Sequence, residues 1–356
     1  MHVRALFSIK TLTKCAVVLV SLSLTALACE GGLRLLGWPS PGLYIDGRGP
    51  LHLRPPGRTG GAYPPDSVGR LRHYEYDVGW VTNSRGFRER EPTQKGAGEW
   101  RVGLLGDSFT AGVGVEADQR FGDLWIESVR RHKPNVTLWN LGSPECGTAC
   151  EAAMLEGADG QYQLDELVLA FYGGNDVQDN VSWYQTTDPA AAQETGGSPS
   201  AAKRLKVWLY EHSRLFTFIW FYGSRTLSAF RVFGIYSEAE LQSQWGQTEK
   251  SLARLKGVVG ARPLTILYLP ATPEWDDSLW LKLKSRYGMK DENRYLVKEA
   301  LRKWCRQNDI PFVDATPWLR SCLSVKECTY PVDGHWNARG HQLVADGAVI
   351  SMPTAK

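Results

Sequence analysis

The sequence has no excess of charge of one sign. Its 356 residues include 41 Lys and Arg against 38 Asp and Glu, a formal net charge of +3. A balance this close to neutrality gives no support for a nucleic-acid partner. Hydrophobic residues make up 43% and charged residues 22%, near ordinary globular values. This composition excludes a wholly disordered chain, a collagen-like chain and a membrane protein with many spans.

Zinc-type spacing of cysteine and histidine is also missing. The chain has seven cysteines, but no two of them form a C-x-x-C pair. Only Cys328 has a histidine, His335, close to it in the sequence. Structural zinc sites need such ligands at short spacing. We therefore predict no metal ion, and no other cofactor is indicated.

One long apolar run is present, at the N-terminus. Arg4, Lys10 and Lys14 precede the uncharged stretch Cys15–Ala28, which is rich in Val and Leu. Basic residues before an apolar core are the signature of a secretory signal or a signal anchor. The run is shorter than the ~20 residues that a spanning helix needs. It reaches that length only by continuing past Glu30.

Three forms of export are open. We favour an uncleaved signal anchor over residues 1–37. The small-x-small sequence Ala26-Leu27-Ala28 instead allows cleavage to a soluble exported protein, and Cys29 allows lipid modification. A buried N-terminal helix of a cytoplasmic protein fits the basic flank less well. We expect a protein of the bacterial cell envelope or periplasm, anchored to the inner membrane by its N-terminal segment.

The cysteines fit an exported body, because disulfides persist outside the cytoplasm. Two of the seven belong to the targeting segment, which leaves five. Cys322 and Cys328 bracket a short polar loop and form one candidate pair. Cys146 and Cys150 form another if the chain turns between them. Cys305 lies in a helical pattern, and we expect it to be a buried thiol.

Residues 38–98 predict an arm between the anchor and the main domain. Gly and Pro are frequent over 38–70, which indicates an extended connector. Further on, Asn83–Arg88 is interpreted as a turn that docks on the main domain. The alternative is that Arg85 or Arg88 lines the substrate cleft.

Residues 99–352 alternate between apolar strands and helical patterns. Such alternation predicts a mostly parallel sheet with helices on both faces. The predicted strands are at 101–105, 136–140, 166–171, 264–269 and 311–313.

An insertion at about 186–235 interrupts this alternation. Residues 186–202 are rich in Ala, Ser, Gly, Thr and Pro and predict a flexible loop. Residues 203–235 are amphipathic and aromatic, and basic residues divide them. We interpret them as helices that cap the core, with a lid or a membrane-surface helix as the alternative.

Polar or glycine turns follow the first three predicted strands of the main domain. In an open α/β sheet, ligands bind at the carboxyl ends of the strands. The turns deliver Ser108, Gly142 and Asn175 to that edge. A serine nucleophile needs a base, and His335, just before the last helix, is the candidate. Asp333 is placed to orient its imidazole.

Four motifs resemble the blocks of the SGNH (GDSL-type) hydrolase superfamily. In the family's order, they are Gly106-Asp107-Ser108-Phe109, Asn140-Leu141-Gly142, Gly173-Gly174-Asn175-Asp176 and Asp333-Gly334-His335. The resemblance extends from about residue 100 to the C-terminus. It implies a three-layer α/β/α, flavodoxin-like fold with a mostly parallel five-stranded sheet, and an ester-hydrolase activity.

The resemblance also implies roles for the residues at the strand ends. Ser108 corresponds to the nucleophile. The oxyanion hole would comprise the Ser108 N–H, the Gly142 N–H and the Asn175 side-chain amide. Each such donor is typically worth ~3 kcal/mol in the transition state.

The last motif implies the acid–base chemistry. His335 would act as general base and then as general acid to the leaving alcohol, oriented by Asp333. Asp107 and Asp176 would be structural carboxylates near the site. His341, inside the final helix pattern, is interpreted as a packing or hydrogen-bonding residue.

One departure from the family concerns the acid. The family's last block is D-x-x-H, whereas position 332 here is Val and Asp333 lies two residues before His335. A D-x-H spacing also resembles that of SGNH-like polysaccharide O-acetyltransferases. The departure therefore weakens the assignment of Asp333 and favours a transferase more than the other motifs do.

The predicted function is that of an exported serine esterase, acting on a small ester or an acylated glycan of the cell envelope or extracellular space. The ester bond to be cleaved is that of an O-acyl group, with acetyl as the first candidate. The alternatives are an O-acyltransferase for a polysaccharide, a lipid-ester hydrolase if the insertion forms a lid, and an inactive binding module.

Overall fold

The computed structural model divides into two units. One comprises residues 1–41 and 198–231, and the other comprises residues 42–197 and 232–356. Within these units the structure describes residues 9–37, 42–45, 50–51, 63–73, 75–187, 202, 205, 208–209, 212–219 and 234–352. The four motifs identified in the sequence all lie in the second unit.

The first unit contains the apolar N-terminal helix. This helix, α1, runs Ile9–Leu35 and has 27 residues, a length of about 40 Å at 1.5 Å per residue. Its segment Thr13–Leu35 is long and apolar enough to cross a membrane, by length and composition. Signal sequences and membrane anchors both have this property. The helix is therefore compatible with the predicted targeting segment.

A carboxylate near the end of α1 accepts hydrogen bonds from residues 213–215 of the same unit. Glu30 accepts from the N–H groups of Arg214 and Leu215, at 3.0 and 2.8 Å, and from the Ser213 hydroxyl at 2.9 Å. These N–H groups begin a helical turn at 214–219, where the first N–H groups have no acceptor within the helix. Most of the predicted insertion at 186–235 lies outside the described residues, and its role stays a prediction.

The arm contributes four short strands to the second unit. They are Gly42–Ile45 (β1), Pro50–Leu51 (β2), Val68–Arg72 (β3) and Asp77–Val81 (β4). These strands form an antiparallel sheet in the order β2-β1-β3-β4. The prediction of an extended connector over 38–70 is thus wrong where these strands lie. Its failure has a physical reason: Gly42 pairs with Arg72, and composition does not reveal a pairing between such distant segments.

The predicted docking turn at Asn83–Arg88 is confirmed. The Arg88 guanidinium is buried and donates to the carbonyl oxygens of Gly79, Gly112 and Val115, at 2.6, 2.8 and 2.9 Å. It also lies 4.2 Å from the centre of the Trp80 ring. Arg88 therefore fastens the arm to the segment that follows Ser108, and the alternative that it lines a cleft is not supported.

A five-stranded parallel sheet forms the centre of the second unit. Its strands are Trp100–Gly106 (β5), Val136–Asn140 (β6), Glu166–Tyr172 (β7), Leu264–Leu269 (β8) and Phe312–Asp314 (β9). The order is β6-β5-β7-β8-β9, with every pair parallel. The predicted strands are confirmed to within two residues at each end. Strands with both faces buried have near-continuous apolar sequences, which explains that success.

Helices cover both faces of this sheet. The described helices are Ser108–Ala111 (α2), Phe121–Arg130 (α3), Thr148–Tyr162 (α4), Asp176–Thr187 (α5), Glu238–Val259 (α6), Thr272–Trp275 (α7), Asp277–Tyr287 (α8), Leu296–Gln307 (α9), Thr316–Leu319 (α10), Val325–Cys328 (α11) and Ala338–Ser351 (α12). The predicted three-layer α/β/α fold is therefore confirmed. The sequence patterns did not predict α5, α8 or the four-residue helices α2, α7, α10 and α11.

Two hydrophobic cores lie on opposite faces of the sheet. Successive residues of a strand point to opposite faces, so Leu105 and Leu169 enter one core while Leu104 and Ala170 enter the other. Helices α4, α6 and α9 cover the first core, and α3 and α12 cover the second. Together they bury the strands and hold their carboxyl ends in place.

The cysteines pair as the sequence analysis expected. Disulfides join Cys146 to Cys150 and Cys322 to Cys328. Cys305 is a buried free thiol, and burial raises its pKa to about 12. The first disulfide lies at the start of α4, and the second immediately precedes the loop that holds His335.

Candidate active site

Ser108 is placed by the turn between β5 and α2. Strand β5 ends at Gly106, and Asp107 caps the helix by accepting the Phe109 N–H at 2.9 Å. Ser108 is then the first residue of α2 and is half-buried. The first N–H groups of a helix have no acceptor within it, so the Ser108 N–H is available beside its own hydroxyl.

The second motif begins at Asn140, the last residue of β6, and is hydrogen-bonded to the end of the adjacent strand β5. The Leu141 N–H donates to the Leu104 oxygen, and the Ser143 N–H donates to the Gly106 oxygen, both at 2.8 Å. Between them lies Gly142. A Cβ at this position would lie 2.4 Å from the Ala111 nitrogen. Glycine is required here because the loop passes so close to the backbone of α2.

The loop before the last helix is folded back on itself. An antiparallel bridge joins Thr329 to Trp336, and the Tyr330 N–H donates to the His335 oxygen at 2.9 Å. Gly334 lies at the turn with φ +94°, a left-handed conformation that favours glycine. This turn explains how a D-x-H spacing can bring Asp333 and His335 together.

Three predicted residues form a continuous hydrogen-bonded relay. The His335 Nε2 lies 2.8 Å from the Ser108 Oγ. On the other side of the ring, the His335 Nδ1 is hydrogen-bonded to the Asp333 Oδ2. When Nδ1 carries the proton and donates it to Asp333, Nε2 is free to accept the Ser108 proton. The arrangement can therefore convert the Ser108 hydroxyl into a nucleophile.

The charges of this relay are mutually stabilising. Burial alone would raise the pKa of Asp333, but the charge of His335 and their hydrogen bond outweigh burial and lower it to about 2. Burial likewise opposes the charged form of His335, yet Asp333, and to a lesser degree Asp107, raise the pKa of this imidazole above its usual value. Asp333 is therefore a carboxylate at neutral pH and stabilises an imidazolium.

The predicted oxyanion donors are less directly defined. The Gly142 N–H donates to the Asn140 Oδ1 at 3.0 Å, so this donor already has an acceptor. Asn175 lies between β7 and α5 and is half-buried. Strand β7 is adjacent to β5, with Ala170 opposite Gly106, which puts the turns after both strands at one edge. The roles of Gly142 and Asn175 in an oxyanion hole stay predictions.

Aromatic rings pack behind the histidine. The centre of the Phe109 ring lies 4.9 Å from that of His335, 4.8 Å from that of Trp336 and 4.1 Å from that of Tyr172. Trp336 is almost completely buried and is part of the core rather than a wall of a cleft. This packing limits rotation of the His335 ring.

His341 is a core residue. Its side chain is buried, and its Nδ1 accepts the Phe121 N–H at 3.2 Å. Burial and the nearby positive charges lower its pKa to about 3. Its neutral ring therefore packs and accepts a hydrogen bond, in agreement with the sequence interpretation.

Four carboxyl groups are clustered behind the first and third motifs: those of Asp107, Glu151, Asp176 and Asp179. Asp107 and Asp176 each accept a backbone N–H, from Phe109 and Tyr172, both at 2.9 Å. Burial raises the pKa of Asp107 to about 6 and that of Asp176 well above its usual value. Both residues thus accept hydrogen bonds from the local backbone, and their assignment as structural carboxylates stays a prediction.

Glu151, on α4, is a member of this cluster that the sequence did not reveal. Its side chain is fully buried, and neither carboxyl oxygen has a hydrogen-bond partner among the described residues. Burial raises its pKa well above the usual value, and the charges of Asp107 and Asp179 raise it further. Burial and these neighbouring charges therefore favour the protonated form of Glu151 in the folded protein.

This protonation predicts the effect of Glu151→Gln on stability. An acid whose pKa is raised by folding favours the folded state least at high pH, because unfolding then releases a proton. Between the unfolded and folded pKa values, each pH unit costs about 1.4 kcal/mol of unfolding free energy. We expect Glu151→Gln to remove this loss, so that its melting temperature rises relative to that of the wild type as the pH increases above the pKa of Glu151 in the unfolded chain.

Glu156→Gln is the matched control for this prediction. Glu156 lies on the same helix, is exposed and pairs with Arg254 at 2.7 Å. Its replacement should leave the pH dependence of the melting temperature unchanged. A Glu151→Gln curve parallel to that of the wild type would show that Glu151 is ionised in the folded state.

The fold and the site together define a class of protein. A serine, a histidine and a carboxylate in hydrogen-bonded sequence, at the carboxyl edge of a parallel α/β sheet, have the geometry of a serine-hydrolase site. The model of the GDSL-like Lipase/Acylhydrolase family matches residues 104–343. The chain belongs to this family and is an ester-bond hydrolase.

Comparison with solved structures gives esterases of low sequence identity. One is a two-domain esterase (CEX) active on acetylated mannans, at 14% identity and a TM-score of 0.39, with 72% of this chain and 50% of that chain covered. This chain thus spans half the length of that esterase. Another is a lipolytic protein of the G-D-S-L family from Veillonella parvula, at 15% identity and a TM-score of 0.38, with 71% and 98% covered.

A third similar structure is a catalytic mutant of Axe2, an acetylxylan esterase from Geobacillus stearothermophilus. It has 12% identity and a TM-score of 0.42, with 72% of this chain and 95% of that chain covered. No curated protein matches this chain.

Proposed function

We propose that this chain is an exported serine esterase that hydrolyses O-acyl esters through an acyl-enzyme on Ser108. The observation that carries the proposal is the relay from Ser108 through His335 to Asp333, with the His335 Nε2 2.8 Å from the Ser108 Oγ. A neutral serine hydroxyl is a weak nucleophile, and a hydrogen-bonded, oriented imidazole is the means of activating it.

Acylation involves two proton transfers, one from Ser108 to His335 and one from His335 to the leaving alcohol. His335 takes the Ser108 proton as the Oγ attacks the ester carbonyl, and the imidazolium is stabilised by Asp333. The oxyanion is stabilised by the Ser108 N–H, together with the other predicted donors, the Gly142 N–H and the Asn175 side-chain amide. His335 then returns the proton to the leaving alcohol as the ester C–O bond breaks.

Deacylation repeats the same steps with water. His335 takes a proton from water, the hydroxide oxygen attacks the acyl carbonyl, and the proton returns to the Ser108 Oγ as the acid departs. Throughout both steps Asp333 stays ionised, since its pKa is lowered to about 2. The products are one alcohol and one carboxylic acid for each water consumed.

Three features support action outside the cytoplasm. The N-terminal helix is long and apolar enough to cross a membrane, and basic residues flank it in the sequence. Two disulfides lie in the second unit, as is usual for proteins in oxidising compartments. We assign residues 1–37 to an anchor in the inner membrane, 38–98 to the arm and 99–352 to the catalytic domain.

The substrate that fits this compartment is an O-acyl group, acetyl first, on a cell-envelope or extracellular glycan. A second candidate function is transfer of the acyl group to a sugar hydroxyl. The spacing of Asp333-Gly334-His335 favours this candidate, since it resembles that of SGNH-like polysaccharide O-acetyltransferases. The two functions share the acyl-enzyme and differ only in whether water or a sugar hydroxyl attacks it.

The experiment uses the full chain in detergent micelles. Turnover of p-nitrophenyl acetate and release of acetate from acetylated xylan are measured with and without an unacetylated oligosaccharide acceptor, and acetylated products are followed by mass. Hydrolysis predicts acetate equal to nitrophenol in both cases. Transfer predicts acetylated oligosaccharide at the expense of acetate. Absence of turnover and of fluorophosphonate labelling would overturn both functions.

A further inference from the structure

The tip of the β3–β4 hairpin reaches the loop that carries the catalytic acid. The Glu75 carboxylate accepts the Val332 N–H through both oxygens at 2.9 Å, and accepts the Asp333 N–H at 2.7 Å. These contacts join positions 257 and 258 residues apart in the sequence. A carboxylate that receives two backbone N–H groups forms stronger hydrogen bonds than a neutral acceptor does.

Two more side chains of the hairpin face the Asp333 carboxyl group. The His73 Nε2 lies 4.0 Å from the Asp333 Oδ1, and burial together with the Asp333 charge raises the pKa of the Tyr76 hydroxyl. His73 is buried, and its ring stacks on Tyr76 with centres 5.0 Å apart. The other carboxylate oxygen, Oδ2, is the one bonded to His335. The hairpin thus faces one oxygen of Asp333 while His335 takes the other.

Aromatic packing fixes the hairpin against the same loop. The Tyr76 ring lies 5.0 Å from the ring of Tyr330, which is in the loop itself. The Tyr330 hydroxyl in turn donates to the Gly114 oxygen at 2.7 Å, just beyond α2. The hairpin, the acid loop and the segment after Ser108 are therefore held together.

We propose that the hairpin tip, formed by His73, Glu75 and Tyr76, is a positioning element for the catalytic acid. The proposal rests on the function proposed above. The turn at Gly334 brings Asp333 beside His335, and within the loop His335 is the partner of its carboxyl group. Glu75 fixes the backbone of the acid, and His73, with Tyr76 stacked on its ring, faces the other carboxyl oxygen.

Glu75 therefore acts through Asp333 and does not touch the reacting atoms. Loss of its two charge-assisted hydrogen bonds should lower kcat by about ten- to a hundredfold. Because Glu75 does not contact the substrate, KM should change little. We expect Glu75→Ala to have the largest effect, Glu75→Gln to recover part of the rate as an acceptor of the same shape, and Tyr76→Phe to lose several-fold.

The pH profile separates positioning from a structural role. His335 must be neutral to act as base, and Asp333 raises its pKa. Displacing Asp333 therefore lowers that pKa and moves the acidic limb of kcat/KM to lower pH. The other titratable groups that interact with the ring are Asp107 at the start of α2 and His341 on α12. Both remain in the hairpin variants.

Asp77→Asn is the matched control. Asp77 lies on the same hairpin, is exposed and pairs with Arg70 at 2.6 Å. It should keep the kcat, KM and pH profile of the wild type. Melting temperatures identify variants that fail to fold, and Tyr76→Phe keeps the ring packing if Glu75→Ala does not fold.

NMR titration of the His335 ring in the full chain gives a readout that does not require turnover. We expect its pKa to fall in Glu75→Ala and Tyr76→Phe and to stay unchanged in Asp77→Asn. Unaltered His335 titration and unaltered kcat in both hairpin variants would overturn the positioning role. An inactive wild type that shows the expected NMR shifts would instead refute the proposed function and leave the positioning role supported.

Discussion

Ser108→Ala is expected to reduce ester turnover by at least ~10⁴-fold, because the proposed acyl-enzyme forms on the Ser108 hydroxyl. The His335 Nε2 then faces a methyl group in place of the Oγ that lies 2.8 Å away. Substrate binding should survive, since the change removes one oxygen from a half-buried side chain. The measurement is p-nitrophenyl acetate turnover, together with labelling by a fluorophosphonate probe and mass analysis of the labelled peptide.

Ser321→Ala serves as its control. Ser321 is exposed, and its hydroxyl donates only to the nearby Trp318 oxygen, at 2.7 Å. This variant should label and turn over at the rate of the wild type. Equal labelling and equal turnover in Ser108→Ala and the wild type would disprove the serine mechanism.

The parallel sheet could be predicted because its strands are short apolar runs buried on both faces. The sequence Leu264–Leu269 is buried at every position, and such a run is visible without any knowledge of its neighbours. The antiparallel sheet of the arm could not be predicted in this way. Its strands are short and separated by Gly and Pro, and each is stabilised by a partner elsewhere in the chain.

The candidate site also contains some residues that the local sequence predicts and others that it does not. Ser108, His335 and Asp333 were found because each lies in a motif at a strand end or a loop. Glu75 and Glu151 have no motif, and their surroundings depend on residues distant in the sequence. In the sequence, the hairpin tip is visible only as three polar or aromatic residues, His73, Glu75 and Tyr76, between the two short segments that form β3 and β4. Such a pattern is common in exposed turns.

Asp333→Asn is expected to lower kcat by about 10²- to 10⁴-fold, although its shape is nearly unchanged. The carboxylate accepts a hydrogen bond from the Nδ1–H of His335. This bond keeps the proton on Nδ1 and leaves Nε2 free to accept the Ser108 proton. An Asn amide can donate to Nδ1 instead, which stabilises the tautomer with the proton on Nε2. That tautomer cannot take the Ser108 proton.

The same substitution also removes the charge that stabilises the imidazolium. The acidic limb of the pH profile should move to lower pH, because Asp333 raises the pKa of His335. Asp333→Ala distinguishes the change of tautomer from the loss of charge, because alanine has no amide to donate to Nδ1. Its acidic limb should be shifted as in Asp333→Asn, but its rate at high pH should be higher than that of Asp333→Asn. Asp346→Asn, a change on the exposed face of α12 where Asp346 accepts from Gln342 at 2.8 Å, is the control.

A near-normal rate in Asp333→Asn would mean that another acid orients His335. The alternative that the structure offers is Asp107, whose charge also raises the pKa of His335. Asp107, however, accepts the Phe109 N–H at 2.9 Å and caps α2, and burial raises its pKa to about 6. A group that is partly protonated near neutral pH stabilises an imidazolium less well than Asp333 does. Asp333, held by the hairpin and fully ionised, is therefore the acid whose loss should matter most.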